Sequence, residues 1–146
     1  MKKQMKEKTD ERAKDQAKSQ LEGIKEMIRA LNEARDSADD FGHYDGEEVT
    51  MDDMIQRISE VPLSVEVRSG WVSGCYNNEM KPEEFKILLC WGGPAVQIVG
   101  DLDEHGQPEN PRLEYQDWFT GWTKYEITEE EEKDVLIYCS QFYFGE

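Results

Sequence analysis

The sequence lacks long apolar runs and paired cysteines, and these absences limit where the protein works. The longest uninterrupted apolar stretch is Ile87–Trp91, far shorter than the roughly 20 residues of a membrane-spanning helix. The first residues, Met1–Gln4, lead into charge rather than into an apolar segment, so we expect no secretion signal. The odd set Cys75, Cys90 and Cys139, without a secretory context, is typical of reduced thiols. These features predict a cytoplasmic protein that does not enter a membrane.

Catalytic and metal-binding motifs are missing as well. His43 and His105 lie in separate loops, and neither has a Ser or Cys nearby in a nucleophile motif. The cysteines lack the paired spacings of a zinc site. Residues Asp101–Gly106 resemble the start of a calcium loop, but the twelfth position is Arg112, where a bidentate Glu is needed. Gly92–Pro94 lacks the lysine and the helix of a phosphate loop. We therefore expect two hairpin turns, no cofactor, no metal ion and no enzyme activity.

Aromatic residues and charge are distributed unevenly along the 146 residues. All 15 aromatic residues lie between Phe41 and Phe144, so residues 1–40 have none. Residues 1–18 carry seven basic and four acidic side chains, a net charge of +3, whereas residues 19–146 carry ten basic and 29 acidic ones, a net charge of −19. The length suits a single domain with a real core. This distribution predicts a charged helical arm at residues 1–40 and an acidic α+β domain at residues 41–146.

A helix with one apolar stripe is predicted for residues 8–36. The segment is rich in helix formers, and no proline or glycine precedes Gly23. Apolar residues recur at spacings of three and four on one face of this helix, at Leu21, Ile24, Ile28 and Leu31. Either this stripe packs on the core of the chain's own domain, or it is a self-association surface that produces a homodimer. Two heptads are short for a stable coiled coil.

The remaining chain shows strand and helix patterns bounded by turn residues. Residues 36–48 are predicted as a loop, and Thr50 begins a capping box that opens a short helix ending before Pro62. Strand patterns follow at residues 63–68, 85–91, 95–102 and 113–118. A last helix, at residues 128–138, is capped by Thr128. The sequence predicts an α+β fold in which a four-stranded antiparallel sheet packs with helices, preceded by a long charged N-terminal helix.

The four tryptophans divide between the core and the loops. Trp91 ends the most apolar strand and is predicted to be a core residue. Trp71, Trp118 and Trp122 lie in or beside loops. Aromatic residues in loops either pack against the core or contact a protein partner. The second role is common because Trp and Tyr dominate interface hot spots. Both interpretations stay open for these three residues.

Acidic residues form two clusters in the sequence. The first comprises Asp39, Asp40, Asp45, Glu47, Glu48, Asp52 and Asp53, and the second comprises Glu129, Glu130, Glu131 and Glu132. Such a negative body repels nucleic acid directly, whereas a basic surface on another protein is attracted to it. If both clusters share one surface, their charges imitate the spacing of a nucleic-acid backbone. The alternative is an acidic surface that only confers solubility.

Four further stretches resemble a family of small, uncharacterised proteins of bacteriophages, prophages and other mobile elements. They are Leu63–Trp71, Ile87–Val96, Leu113–Trp118 and Gln141–Glu146. The resemblance covers about two thirds of the chain and leaves out the N-terminal 40 residues. No activity is common to that family, so no functional residue follows from it. The resemblance implies an accessory protein of a mobile element in the cytosol of a bacterial host.

Together these observations predict a non-enzymatic accessory protein that binds another protein. We expect an acidic inhibitor, of the anti-CRISPR or antirestriction kind, that mimics nucleic acid and occupies the basic surface of a host defence complex. The expected partner residues are the two acidic clusters with Trp71, Trp118 and Trp122. A self-associating structural protein is the second hypothesis, and a metal-dependent enzyme that uses clustered carboxylates is the third.

Overall fold

A long helix opens the structure, followed by a hairpin, a short helix, a sheet and a last helix. The computed structural model describes residues 2–71, 81–92, 94–117 and 121–144. The elements are α1 Lys2–Asp36, β1 Phe41–Tyr44, β2 Glu47–Thr50, α2 Met51–Glu60, β3 Ser64–Ser69, β4 Pro82–Cys90, β5 Ala95–Leu102, β6 Pro108–Gln116, β7 Thr123–Tyr125 and α3 Glu129–Cys139. The predicted α+β class and long N-terminal helix are confirmed.

The strand count of the sequence prediction is wrong. The main sheet is antiparallel and has five strands in the order β3-β4-β5-β6-β7, and β1 and β2 form a separate hairpin. The fifth strand, Thr123–Tyr125, is too short to show an alternating pattern. The hairpin lies in the predicted loop at residues 36–48, where its turn residues Asp45 and Gly46 have φ of 52° and 78°. Positive φ at both central positions, with an Asp-Gly pair, is typical of a two-residue hairpin turn.

The core lies between one face of the sheet and the helices. Along β4 the side chains alternate, so that Phe85, Ile87 and Leu89 are buried while Lys86 is exposed. α1 packs against β5 and β6, and α3 packs against α1 and β6. Phe144 follows α3 and stacks on Phe85 with a ring-centroid distance of 4.9 Å. The opposite face of the five-stranded sheet, called the open sheet face below, carries none of this core.

The apolar stripe of α1 belongs to this core. Its four residues, Leu21, Ile24, Ile28 and Leu31, are between 0% and 4% exposed and belong to one cluster with residues of the sheet and of α3. The predicted homodimer through the N-terminal helix is therefore wrong, because the chain itself already covers these side chains. The division predicted at residue 40 falls between α1 and the strands that complete its core.

Both predicted helix caps are present as capping boxes. The Thr50 hydroxyl accepts the backbone N–H of Asp53 at 3.1 Å, and the Asp53 carboxylate accepts the backbone N–H of Thr50. Thr128 and Glu131 make the same two bonds at the start of α3. Each cap satisfies N–H groups that would otherwise lack a helical partner. The acids of both first turns are thus held at fixed positions relative to the fold.

Candidate protein-binding surface

The first acidic cluster lies on the β1–β2 hairpin and the start of α2. Asp45 is in the hairpin turn, Glu47 and Glu48 are on β2, and Asp52 and Asp53 are in the first turn of α2. Asp39 and Asp40 precede β1. Arg57 of α2 pairs with Glu47 at 3.0 Å and lies over the Tyr44 ring, which joins α2 to the hairpin. We call the seven acids of this first cluster, Asp39, Asp40, Asp45, Glu47, Glu48, Asp52 and Asp53, the hairpin cluster.

The hairpin docks on the C-terminal half of α1 through a close backbone contact. Gly42 of β1 is buried, and a Cβ atom there would lie 2.5 Å from the Ala30 carbonyl oxygen. Arg29 then donates to the His43 carbonyl oxygen at 2.8 Å. This contact explains why residue 42 is a glycine, and it fixes the position of the hairpin cluster along α1.

The second acidic cluster, Glu129–Glu132, which we call the α3 cluster, contacts the same helix, α1. Lys25 of α1 pairs with Glu131 at 3.2 Å. Lys25 precedes Arg29 by four residues, so both cations project from the same side of α1, about 6 Å apart along its axis. The hairpin and the first turn of α3 therefore flank one ridge of α1, formed by Glu22, Lys25, Glu26, Arg29 and Glu33. The structure brings the two acidic clusters to the same helical side of the molecule.

The cations of this ridge leave most of the cluster acids unneutralised. Lys25 pairs with Glu22 and Glu131, and Arg29 pairs with Glu26 and Glu33. Within the described part of the chain, no ion pair forms at Asp39, Asp40, Asp45, Glu48, Asp52, Glu129, Glu130 or Glu132. The hairpin cluster, the α3 cluster and the ridge together form what we call the acidic side.

A histidine lies within the acidic side, and a neighbouring carboxylate changes its pKa. His43 Nδ1 is 2.6 Å from a carboxylate oxygen of Glu33. The hydrogen bond to Glu33 raises the pKa of His43 above the usual 6.5, and the same bond lowers the pKa of Glu33. Because the folded-state pKa of His43 is raised, its pairing stabilises the docked hairpin fully below about pH 6.5. That contribution is lost as the pH rises through the folded-state pKa.

Replacing Glu33 with Gln is expected to lower the pKa of His43 toward its usual value, because the main partner of the charged imidazole is removed. An NMR pH titration of the His43 ring protons measures this change. Glu26→Gln serves as the matched control, since Glu26 pairs with Arg29 and not with His43. A His43 pKa that is the same in Glu33→Gln as in the wild type would contradict the assigned pair.

The tryptophans are placed elsewhere, on the open sheet face and at the sheet edge. Trp91 is 68% exposed, so the prediction that it is a core residue is wrong. It directly follows β4 and lies with Trp122 over Leu88, which faces away from the helices. Trp71 is fully exposed after β3, and Trp118 lies outside the described residues. Trp71 and Trp122 therefore do not extend the acidic side.

The open sheet face also carries charged side chains that strand alternation places next to each other. Arg68 pairs with Glu84 at 2.8 Å, and Gln97 donates to Glu114 at 2.8 Å. These side chains and Arg112 line a shallow concavity of about 340 Å³. Unlike the acidic side, this face has both signs of charge. Sequence reasoning missed it because only the strand register shows which side chains share it.

A third group of acids meets at one end of the sheet, where β4 begins and β5 ends. Glu83, Glu84, Asp101, Asp103, Glu104 and Glu109 line a depression there. Asp103 accepts the backbone N–H groups of His105 and Gln107, so the hairpin turn predicted at residues 103–106 is confirmed. In the described ranges no three His, Cys, Asp or Glu side chains are grouped closely enough to hold a metal ion.

Comparison of the chain with protein-family models, with curated proteins and with solved structures found no match. The similarity to mobile-element proteins therefore stays a prediction from the sequence. Among the described residues, no helix is both long and apolar enough to cross a membrane. The geometry of the surface is then the main guide to function.

Proposed function

We propose that the protein is a non-catalytic binding module whose acidic side occupies a basic, nucleic-acid-binding surface of another protein. The single observation that carries the proposal is the convergence of the two acidic clusters on one ridge of α1. Lys25 holds the first turn of α3 and Arg29 holds the hairpin, so acids from distant parts of the sequence form one surface.

The proposed mechanism is electrostatic steering followed by exclusion of the nucleic acid. The unpaired cluster acids produce a negative potential that attracts a basic groove, and complementary potentials raise the association rate. Once bound, the acidic side occupies the positions that phosphate groups would take. The capping boxes at Thr50 and Thr128 hold the helix ends rigid, which lowers the entropy lost on binding.

The sequence resemblance to mobile-element proteins supports a particular class of partner. In a bacterial host, the basic groove would belong to a defence or nucleic-acid-processing complex, and the protein would act as its inhibitor. This assignment rests on the resemblance and on the charge of the acidic side, and on no catalytic residue.

The test is affinity capture from bacterial lysate with the full chain as bait, at low and at high salt. Mass spectrometry identifies the captured protein, and the purified partner is then titrated in competition with its own nucleic acid. We expect binding that weakens as salt rises, because exposed charges are screened. A partner without a nucleic-acid-binding surface, or an affinity that does not change with salt, would refute the proposal.

Neutralising three acids of the α3 cluster is expected to weaken this binding roughly tenfold, since each exposed charge pair contributes from a few tenths to about 1 kcal/mol. The variant combines Glu129→Gln, Glu130→Gln and Glu132→Gln and keeps Glu131, which caps α3 and pairs with Lys25. Isothermal titration calorimetry against the captured partner measures the effect.

The matched control removes the same number of charges from the end of the sheet. Glu83→Gln, Glu104→Gln and Glu109→Gln change exposed acids that line the strand-end depression and not the acidic side. This control is expected to bind like the wild type, apart from a small effect of net charge. Equal losses in both triple variants would show that total charge, and not the acidic side, determines binding.

A further inference from the structure

The strand β3 forms one edge of the five-stranded sheet and has an open side. It pairs with β4 through a regular antiparallel register from Ser64 to Arg68. On its other side, no strand of the described chain pairs with it. An edge strand presents unpaired N–H and C=O groups that can accept another strand, and native proteins usually protect such edges with short strands or inward-facing charges.

One side of β3 carries an uncovered apolar row. Alternation along the strand places Val65 and Val67 on the core side, opposite Ile87 and Phe85, and Leu63 precedes them on the same side. Trp71 lies beyond the end of β3, after a register shift between Arg68 and Ser69. Their exposed fractions are 62% for Leu63, 36% for Val65, 43% for Val67 and 105% for Trp71. The sequence predicted a half-buried strand here. The strand is confirmed, but at the sheet edge its apolar side is left open, because α1 packs on β5 and β6.

The opposite side of β3 carries two opposite charges, each paired with β4. Glu66 lies 3.8 Å from Lys86, and Arg68 lies 2.8 Å from Glu84. This patch of two acids and two bases has no net charge, although residues 19–146 carry −19 in total. It is a place where a second, equally acidic copy of the chain can approach without direct repulsion.

We propose that β3 pairs antiparallel with β3 of a second copy of this chain, with Val67 opposite the second copy's Val67. This register joins the two five-stranded sheets into one continuous sheet. It places Val65 opposite the second copy's Ser69 and diagonal to the second copy's Val67, so the valines of the two strands are neighbours on one face. It places Glu66 opposite the second copy's Arg68, and the two-fold symmetry repeats that pair.

Charge selects this register over its neighbours. A row of four charged side chains then crosses the interface on the open sheet face, and their charges alternate in sign. The row consists of Glu84, Arg68, the second copy's Glu66 and the second copy's Lys86. A shift of one position along each chain puts Glu66 opposite the second copy's Glu66, and like charges directly opposite destabilise a strand pair. A register that pairs odd with even positions puts valines opposite charged residues and loses the apolar contact.

The self-complementarity also identifies the occupant as a second copy. Under the two-fold rotation, residues of β3 alone supply the central Val67 pair and both Glu66–Arg68 pairs. This interface differs from the one expected on α1, whose stripe is buried, and it leaves the acidic side free. It therefore goes beyond the proposed function and does not depend on it.

The test is sedimentation velocity of the full-length protein over a range of concentrations. The wild type is expected to dimerise reversibly, reaching twice the monomer mass of 17.0 kDa. Glu66→Arg alone and Arg68→Glu alone are each expected to weaken dimerisation about tenfold or more, because each creates two like-charge pairs in the symmetric dimer. An equimolar mixture of the two variants is expected to form a heterodimer, since every pair is again of opposite charge.

Two control variants carry the same charge changes away from β3. Glu104→Arg and Lys133→Glu change exposed residues of the β5–β6 turn and of α3, and both are expected to dimerise like the wild type. Far-UV circular dichroism establishes that every variant is folded. A wild type that stays monomeric at every concentration would overturn the proposal. An Arg68→Glu variant that dimerises normally, or a mixture that does not associate, would overturn it equally.

Discussion

A chain that lacks residues 1–40 is expected to stay unfolded, because the helix it loses supplies one side of the core. Among the side chains that the structure describes from residue 11 onward, α1 contributes nine buried residues, namely Ala13, Ala17, Leu21, Ile24, Met27, Ile28, Ala30, Leu31 and Ala34. Without them, the apolar face of β5 and β6 would be open to water. A domain of this size is stable by only about 5–15 kcal/mol. The loss of five large apolar side chains, at about 2–5 kcal/mol each, equals or exceeds that margin.

Point substitutions on α1 test the same conclusion without deleting a segment. Ile24→Ala is expected to destabilise the protein by about 2–5 kcal/mol, because Ile24 is 1% exposed and packs in the core cluster. Lys18→Ala, on the exposed side of the same helix, is expected to change stability by less than about 0.5 kcal/mol. Urea unfolding followed by circular dichroism measures both. A 41–146 fragment with a cooperative unfolding transition would show that α1 is dispensable.

Gly42→Ala is expected to destabilise the protein by about 1–3 kcal/mol, because it adds an atom where none fits. The new Cβ would lie 2.5 Å from the Ala30 carbonyl oxygen and 3.0 Å from the Ala34 backbone nitrogen. Both are backbone atoms of α1, so the hairpin must move away from the helix. The displaced hairpin carries the hairpin cluster with it, and the contact between Arg29 and the His43 carbonyl oxygen is lost.

Gly23→Ala provides a control of opposite sign. Gly23 lies inside α1, and a Cβ there meets no atom within 4 Å. The substitution is expected to stabilise the protein by about 0.5–1 kcal/mol, because alanine loses less conformational entropy in a helix than glycine. Thermal unfolding of the two variants side by side measures the difference. A Gly42→Ala variant as stable as the wild type would show that the hairpin does not rest on Ala30.

Local sequence patterns predicted those elements whose signals lie within a few residues. Thr50 and Thr128 marked helix starts because a hydroxyl and an acid three positions later complete a capping box. The strand at Ala95–Leu102 was predicted with its observed bounds, since a mostly apolar segment lies between two turns. The hairpin at residues 41–50 was missed, although Asp45 and Gly46 carry its turn signal, because each of its strands has only four residues.

The candidate surfaces depended on contacts that no local pattern contains. The sequence identified both acidic clusters, but only the tertiary structure joined them, through Lys25 and Arg29 on one ridge. Trp91 had the sequence context of a core residue and is exposed, because it follows the last residue of β4 and lies on the open sheet face. The sheet face on which a side chain lies depends on where its strand ends and on the register of that strand. Both are set by the neighbouring strands.

The sequence by itself determined the fold class, the helix caps, four of the strands and the uneven distribution of charge and of aromatic residues along the chain. Each of these follows from backbone preference and from periodicity over a short window. The tertiary structure alone decided that the α1 stripe is buried and that the valines of β3 are not. Both stripes are apolar and regular in the sequence. They differ because α1 packs across β5 and β6, whereas β3 lies at the edge of the sheet.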